Sequence, residues 1–420
     1  MAAFQPLHSL STTAWLACGF LSLALLHLLC CSPLFQYVNT TYSYFSSSGG
    51  GQSCDYSEGR WVWAPGHARR YNATACGVKE GQDCLRNGRP DTGYLDWRWQ
   101  PAGCSLPAFD AAAFLSAVRG KHVAFVGDSM ARNQFESLVC LLAAAFPRRV
   151  VYRDPEAHRR QFMRFAFPSH DVTVSVYWAP YLARSTGKSE NYSMPYNLVY
   201  LDAPGDRWAA DADTMDVVVL AAGHWLLNSA VYHKGSEVIG VHAHPELNHT
   251  DIGYASPFRQ AYRVAVERLS SGRPRTVVLA TFSPTHFENN RMDDPTACAK
   301  MAPYKDGEKE LNGLEKELRS IVIEEAAARR NGTSGAVRFE MLDVTKLAAM
   351  RPDGHPGSYM NRDPFAHGVK EKMQTDCLHF CLPGPVDTFN EILQHILTKV
   401  MVQPMEELEQ ETLIFVSLDI

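Results

Sequence analysis

Two short strings hold the residue types that nucleophilic acyl chemistry needs. Gly127-Asp128-Ser129 closes the Val-rich run that begins at Val123, and Asp376-Cys377-Leu378-His379 lies near the other end of the chain. A serine placed where a strand gives way to a helix exposes its Oγ. The backbone N–H groups of that helix's first turn then face any oxyanion developing beside it. The Asp-x-x-His spacing lets one turn present both side chains, so that the carboxylate orients the imidazole and the imidazole takes a serine's proton. Each string alone has a plainer reading: Ser129 as a helix cap, Asp376 as a turn former, His379 as a satisfied structural histidine. Together, in the order Ser…Asp-x-x-His at opposite ends of one α/β unit, they point to a serine-type catalyst.

The elements that must position these residues are legible around them. Val123–Gly127 reads as a short buried strand, and 131–145 carries apolar residues at helical spacing. Val172–Trp178 alternates as a strand does. Asp216–Ala221 and Thr276–Thr281 are continuous Val/Leu runs, the pattern of central parallel strands covered on both faces. Leu311, Leu314, Leu318 and Ile321 mark an amphipathic helix that stops near Asn331-Gly332. Val337–Val344 is a further strand. Thr388-x-x-Glu391 reads as a capping box opening a last helix from Phe389 to about Val400. Strands alternating with helices predict an α/β, three-layer α/β/α sandwich with a mostly parallel sheet.

The chain has 420 residues and a net charge of −5, with no Lys/Arg block, which argues against nucleic-acid binding. Residues 1–13 form a short tail. Segment 14–35 is almost wholly apolar and long enough to span a bilayer, so it is expected to be one transmembrane signal anchor, with a cleavable signal peptide as the rival reading. No Lys or Arg precedes Arg60, so flanking charge does not orient it. The sequons do: Asn39, Asn72, Asn191, Asn248 and Asn331 all follow the apolar segment and predict a glycosylated luminal domain. Segment 36–53 reads as a flexible stem and 54–108 as a Cys/Trp-rich segment of disulfide-tied loops. Residues 109–402 form the catalytic domain and 403–420 a C-terminal tail. Of the 11 cysteines, eight lie beyond the apolar segment, an even set that fits disulfides in an oxidising lumen. No C-x₂-C pair occurs and no metal site is expected.

Longer strings narrow the reading. GDS near the start and DxxH near the end is the layout of the GDSL/SGNH esterase superfamily. CDYSEGRWV (Cys54–Val62), VAFVGDSMARNQFESLVCLL (Val123–Leu142), SPTHFE (Ser283–Glu288) and DCLHFCLPGPVDTFNEIL (Asp376–Leu393) closely resemble the plant trichome birefringence-like family, over nearly everything from Cys54 to about Leu397. That resemblance implies an SGNH/GDSL-like fold and a Golgi membrane, single-pass type II protein with its catalytic domain in the lumen. It further implies polysaccharide O-acetylation. Ser129 would be the nucleophile, His379 the base and Asp376 its orienter, working through an acetyl-serine. No cofactor would be bound. The acetyl donor, acetyl-CoA or an acyl carrier supplied by a partner protein, would be a co-substrate, since no Rossmann fingerprint or P-loop is visible.

The same resemblance suggests the pairs Cys54–Cys104, Cys76–Cys140, Cys84–Cys381 and Cys298–Cys377. Oxyanion donors would be the Ser129 N–H, Gly223 after the DVVVLAA strand and, more weakly, Asn133. The usual GxND block has no clean equivalent beyond Asn228. His286 ends a strand and could face the site, Arg132 could meet an anionic substrate, and the tryptophans of Cys54–Cys104 could stack on sugars. Core, surface and core roles, respectively, compete with those readings. The family's closing motif commonly has Trp where this chain has Phe380, and the HFCLPGPVDT form resembles the subgroup associated with xyloglucan. The favoured function is therefore acetylation of xyloglucan side chains. The alternatives are a xylan O-acetyltransferase, a carbohydrate acetylesterase and a non-catalytic wall-polysaccharide binding protein.

Overall fold

In the computed structural model, residues 54–66, 70–155, 161–244, 246–288, 292–330 and 337–417 are described. The apolar segment 14–35, the stem 36–53 and the sequons at Asn39 and Asn331 lie outside them. Among the described residues no helix is long and apolar enough to cross a membrane.

A seven-stranded sheet organises the chain. In strand order it runs Val337–Leu342 (β13), Arg275–Ala280 (β12), Val217–Ala221 (β9), His122–Gly127 (β3), Val172–Trp178 (β6), Phe162–Phe167 (β5) and Arg149–Arg153 (β4). Neighbours from β13 to β6 are parallel; β5 and β4 add an antiparallel margin. The alternation of strand side chains feeds two separate cores. Val123, Phe125, Val217 and Val219 enter one cluster, with helices Ala111–Ala117 (α1), Ser129–Ala143 (α2) and Val386–Ser417 (α5) packing on that side. Ala124, Val126, Val218 and Leu220 enter the other, beneath helices Ala255–Ser270 (α3) and Gly313–Arg330 (α4). Helices thus cover both faces of a mostly parallel sheet.

Three features differ from the sequence expectation. The β4–β5 margin was not legible, because β4 (RVVYR) is exposed at an edge and shows no burial alternation. A second, four-stranded sheet also forms from Ala183–Gly187 (β7), Asn197–Pro204 (β8), Ala230–Lys234 (β10) and Glu237–His242 (β11). Third, α5 begins at Val386, directly after Pro385, so the Thr388/Glu391 pair lies inside the helix instead of capping it. Glu391 forms an ion pair with Arg70. The tertiary ion pair takes the carboxylate that a capping box would have sent back to the N-terminus. The helix also continues through 403–417, where a tail was expected. Glu, Gln, Leu and Met dominate that stretch, and these residues favour helix.

The Cys/Trp-rich segment is held by aromatic packing as well as by disulfides. Gly59–Trp63 (β1) and Trp97–Pro101 (β2) form an antiparallel pair in which Trp61 opposes Trp99. Both rings are buried, 5.5 Å apart in an edge-to-face arrangement. Trp61 Nε1 donates to Leu347 O and Trp99 Nε1 to Tyr56 O, so neither ring is available to stack on a sugar.

Candidate active site

Ser129 is delivered by a sharp strand-to-helix turn that glycine permits. A Cβ at Gly127 would lie 1.8 Å from Ala221 O, so only glycine lets β3 run this close to β9 before turning. Asp128 then caps α2, with its Oδ1 accepting from Met130 N–H at 2.9 Å. Its Oδ2 accepts from the N–H groups of Gly223 and His224, at 2.9 and 3.1 Å. One carboxylate therefore ties the turn carrying Ser129 to the loop after β9. Ser129 is the first helical residue and sits among the first-turn N–H groups that lack intrahelical partners. Every residue from Ser129 to Leu142 is buried, so α2 is a rigid mount.

Asp376 and His379 form a tight pair on the loop before α5. His379 Nδ1 lies 2.7 Å from Asp376 Oδ2, while Asp376 Oδ1 accepts from the N–H groups of Leu378 and His379. Burial works to raise the Asp376 carboxyl. The His379 imidazole and the two backbone N–H bonds outweigh it and hold the carboxyl well below its ordinary value. His379 Nε2 is buried with no hydrogen-bond partner within the protein. That is the nitrogen a triad turns toward a serine hydroxyl.

Asn133 stitches the two halves of the site together. Its Oδ1 accepts from Phe380 N–H at 3.1 Å, and its Nδ2 donates to Phe380 O and to Gln82 Oε1, also at 3.1 Å. The turn of α2 that carries Ser129 is thus bonded to the residue following His379. Asn133→Leu, which strands two buried backbone groups of Phe380, is expected to destabilise the protein by about 2–4 kcal/mol in thermal unfolding. It should also lower kcat on the order of a hundredfold through misplacement of His379.

These contacts correct the expected oxyanion hole. The Gly223 N–H is committed to Asp128, and the Asn133 amide to Phe380 and Gln82, so neither is aimed at a developing oxyanion. Asn228 donates to His224 O and serves the turn at 224–227. Arg132 is buried, with its guanidinium 5.6 Å from the centre of the Trp178 ring; it is not the solvated helix residue that competes with a substrate role.

Two disulfides meet on the loop that carries Asp376 and His379. Cys84 pairs with Cys381 and Cys298 with Cys377, one on each side of His379; Cys76 pairs with Cys140 on α2. These are three of the four expected pairs, and Cys54 and Cys104 are disulfide-bonded as well. Because two bridges flank His379 and none of the three joins two strands of the seven-stranded sheet, mild reduction is expected to abolish activity before circular dichroism reports loss of fold. Equal sensitivity of the two signals would contradict this. Asn72, Asn191 and Asn248 are exposed, as glycan acceptors must be, and Asn72 also caps a short helix at Ala73–Cys76.

Three histidines lie beside the site, and of these the sequence had pointed only to His286. His224 lies half-buried after β9, donates through Nε2 to Ser283 O (2.8 Å), and is held below its ordinary pKa first by burial, with Asp128 opposing. His286 lies behind the Asp376–His379 loop, its backbone N–H donating to Cys377 O. His355 reaches the loop directly, with Nδ1 2.8 Å from His379 O and its ring stacked on Phe380 at 4.7 Å. His355 lies in a Gly/Pro-rich run with no periodicity, so nothing in sequence marked it. Among the described residues no His/Cys/Asp/Glu group is arranged to hold a metal ion.

Comparison with known proteins adds to this geometry. Residues 106–396 match PC-Esterase, a GDSL/SGNH-like acyl-esterase family found in Pmr5 and Cas1p, and residues 52–105 match the PMR5 N-terminal domain. The chain is 48% identical over 355 residues to xyloglucan O-acetyltransferase 1 of Populus trichocarpa, covering 83% of this chain and 82% of that protein. It is 46% identical over 347 residues to xyloglucan O-acetyltransferase 1 of Arabidopsis thaliana, covering 82% and 80%. It is 37% identical over 344 residues to protein trichome birefringence-like 26 of Arabidopsis thaliana, covering 81% and 76%.

Proposed function

Since the chain belongs to the GDSL/SGNH-like acyl-esterase family found in Pmr5 and Cas1p, we propose that it is an O-acetyltransferase that places acetyl groups on xyloglucan side chains. The observation that carries the chemistry is His379. It is bonded through Nδ1 to a half-buried Asp376 whose carboxyl is held well below its ordinary value, has an Nε2 with no partner within the protein, and sits on a loop bonded to the helix that begins at Ser129.

The steps follow from that arrangement. His379 Nε2 takes the proton from Ser129 Oγ as the oxygen attacks the acetyl carbonyl carbon of the donor. The first-turn N–H of α2 at Ser129 stabilises the oxyanion. The donor's leaving group departs with the proton returned by His379, and acetyl-Ser129 remains. A sugar hydroxyl then gives its proton to His379 and attacks the acetyl carbon, and His379 passes that proton to Ser129 Oγ as the acetyl–serine bond breaks. Asp376 keeps the proton of His379 on Nδ1 and stabilises the imidazolium formed in each half-reaction. The acetyl donor is a co-substrate, either acetyl-CoA or an acyl carrier.

We further place the protein in the Golgi membrane as a single-pass type II protein with this domain in the lumen. Support comes from the apolar stretch 14–35, the exposed sequons at Asn72, Asn191 and Asn248, and the disulfides, which form in oxidising compartments.

The test is an acceptor panel. The full-length chain from a secretory host is incubated with an acetyl donor and either xyloglucan or xylan oligosaccharides, and acceptor masses are read by mass spectrometry. Gain of acetyl on xyloglucan fragments is the expected result. Gain on xylan alone would move the substrate. Loss of acetyl from pre-acetylated fragments, with no gain on either acceptor, would make it an esterase.

A further inference from the structure

Three short contacts link two buried histidines into a chain that ends on the catalytic loop. His286 Nε2 lies 2.7 Å from Ala349 O, His286 Nδ1 lies 2.7 Å from His355 Nε2, and His355 Nδ1 lies 2.8 Å from His379 O. Carbonyl oxygens only accept, so both outer nitrogens must carry hydrogen. The inner contact, between two ring nitrogens, also needs a hydrogen, because two lone pairs at that separation repel. All three contacts therefore require three N–H hydrogens on the two rings, whereas two neutral imidazoles bring only two.

We propose that His286 and His355 form a buried pair sharing one proton between Nδ1 and Nε2, that the pair carries a single positive charge, and that it positions His379 and disfavours a second positive charge there. This rests on the reading of Ser129, His379 and Asp376 as the reacting groups.

The surroundings bear on that charge from every side. Burial pulls each ring, taken alone, toward its neutral form. A proton hydrogen-bonded at both ends is not an exposed ion, and the site holds compensating carboxylates. Glu315 and Asp353 face His286, and Asp376 faces His355. Lys309 and Arg89 oppose them, and these charges pair off, Lys309 with Glu315 at 3.2 Å, Arg89 with Asp91 at 3.1 Å and the buried Arg351 with Asp353 at 2.8 Å, which leaves Asp376 as the carboxylate that no Lys or Arg neutralises. His286 also lines a cavity of about 390 Å³ shared with Lys309, Glu315 and Tyr304.

The consequences are geometric and electrostatic. His355 grips the His379 carbonyl and packs its face against Phe380, so the pair fixes the backbone on both sides of the catalytic imidazole. A fixed positive charge beside that imidazole favours its proton-accepting form, the form that must meet Ser129 at the start of each half-reaction.

Two measurements test the pair. In the full-length protein with ¹⁵N-labelled histidine, NMR is expected to show an exchange-protected proton far downfield of the amides, correlated with His286 or His355 ring nitrogen and absent from His286→Gln. A wild-type spectrum with both rings neutral would overturn the charged pair, whatever the activity does. The second measurement is the pH profile of kcat/KM. Glutamine at 286 can still donate and accept, so a purely structural role survives it, but it cannot carry the charge. The acid limb of His286→Gln is expected to move to higher pH by on the order of one unit. An unmoved limb would overturn the electrostatic part. Absence of acetyl transfer in the wild type would count against the proposed function alone, because the spectrum still decides the state of the pair.

Discussion

Ser129→Ala is expected to lower acetyl transfer by about 10⁴-fold or more while leaving thermal stability within about 1 kcal/mol of wild type. The two halves of this result come from different parts of the structure. The loss follows if Ser129 Oγ carries the acetyl group between donor and sugar, since no covalent path remains without it. The retained stability follows from Asp128 being the residue that caps α2: its carboxylate, not the Ser129 hydroxyl, accepts from Met130 N–H and ties the turn to Gly223 and His224. Alanine is also well suited to the first turn of a helix. The plainer reading of Ser129 as a helix cap predicts the reverse, a destabilised protein with activity in proportion to the folded fraction. Parallel assays of transfer and melting separate the two.

Asp376→Asn is expected to reduce kcat by about 10⁴-fold with the fold intact. Asp376 accepts from His379 Nδ1 at 2.7 Å and from two backbone N–H groups through its other oxygen. An asparagine keeps one accepting oxygen and turns a donating NH₂ toward the remaining contact. If the oxygen stays with the backbone, the imidazole must present a lone pair at Nδ1 and hold its proton on Nε2, where it can no longer take one from Ser129. The variant also has a stability signature. The carboxyl is held below its ordinary value in the folded protein, so its contribution is fully present above the unfolded range near pH ~4 and is lost as pH falls. The stability difference between wild type and Asp376→Asn should therefore shrink on acidification below about pH 4. A difference that stays constant through that range would mean the carboxylate is not specially stabilised by His379.

What the sequence disclosed, and what it withheld, follows from how far apart the causes lie. The Val-rich runs at 123–127, 217–221 and 275–280 are buried on both faces, so their composition alone identifies them as central strands. Gly127-Asp128-Ser129 and Asp376…His379 are local patterns, and each pattern contains its own geometry. The oxyanion expectation failed because it depended on partners distant in the chain. Gly223 N–H looks free until Asp128, far upstream, is seen to claim it. Asn133 looks like a donor one turn past Ser129 until Phe380 occupies both ends of its amide. The capping box failed for the same reason, its glutamate having been taken by Arg70. His355 had no local signature at all; its contacts to His286, His379 and Phe380 arise only once three loops meet. In the four-stranded sheet only Ala183–Gly187 (ARSTG) lacks the β-branched, alternating composition that marks a strand; the runs NLVYLDAP, AVYHK and EVIGVH of its other three strands carry it and were legible.

The central claim is that Ser129 carries the acetyl group, and trapping it is the most direct test. The full-length protein would be incubated with an acetyl donor in the absence of sugar, digested, and its peptides weighed. Xyloglucan oligosaccharide would then be added to a parallel sample. One acetyl group is expected on the peptide containing Ser129, cleared when the oligosaccharide is added and recovered on it. Acetylation of the oligosaccharide at the wild-type rate by Ser129→Ala would contradict the account.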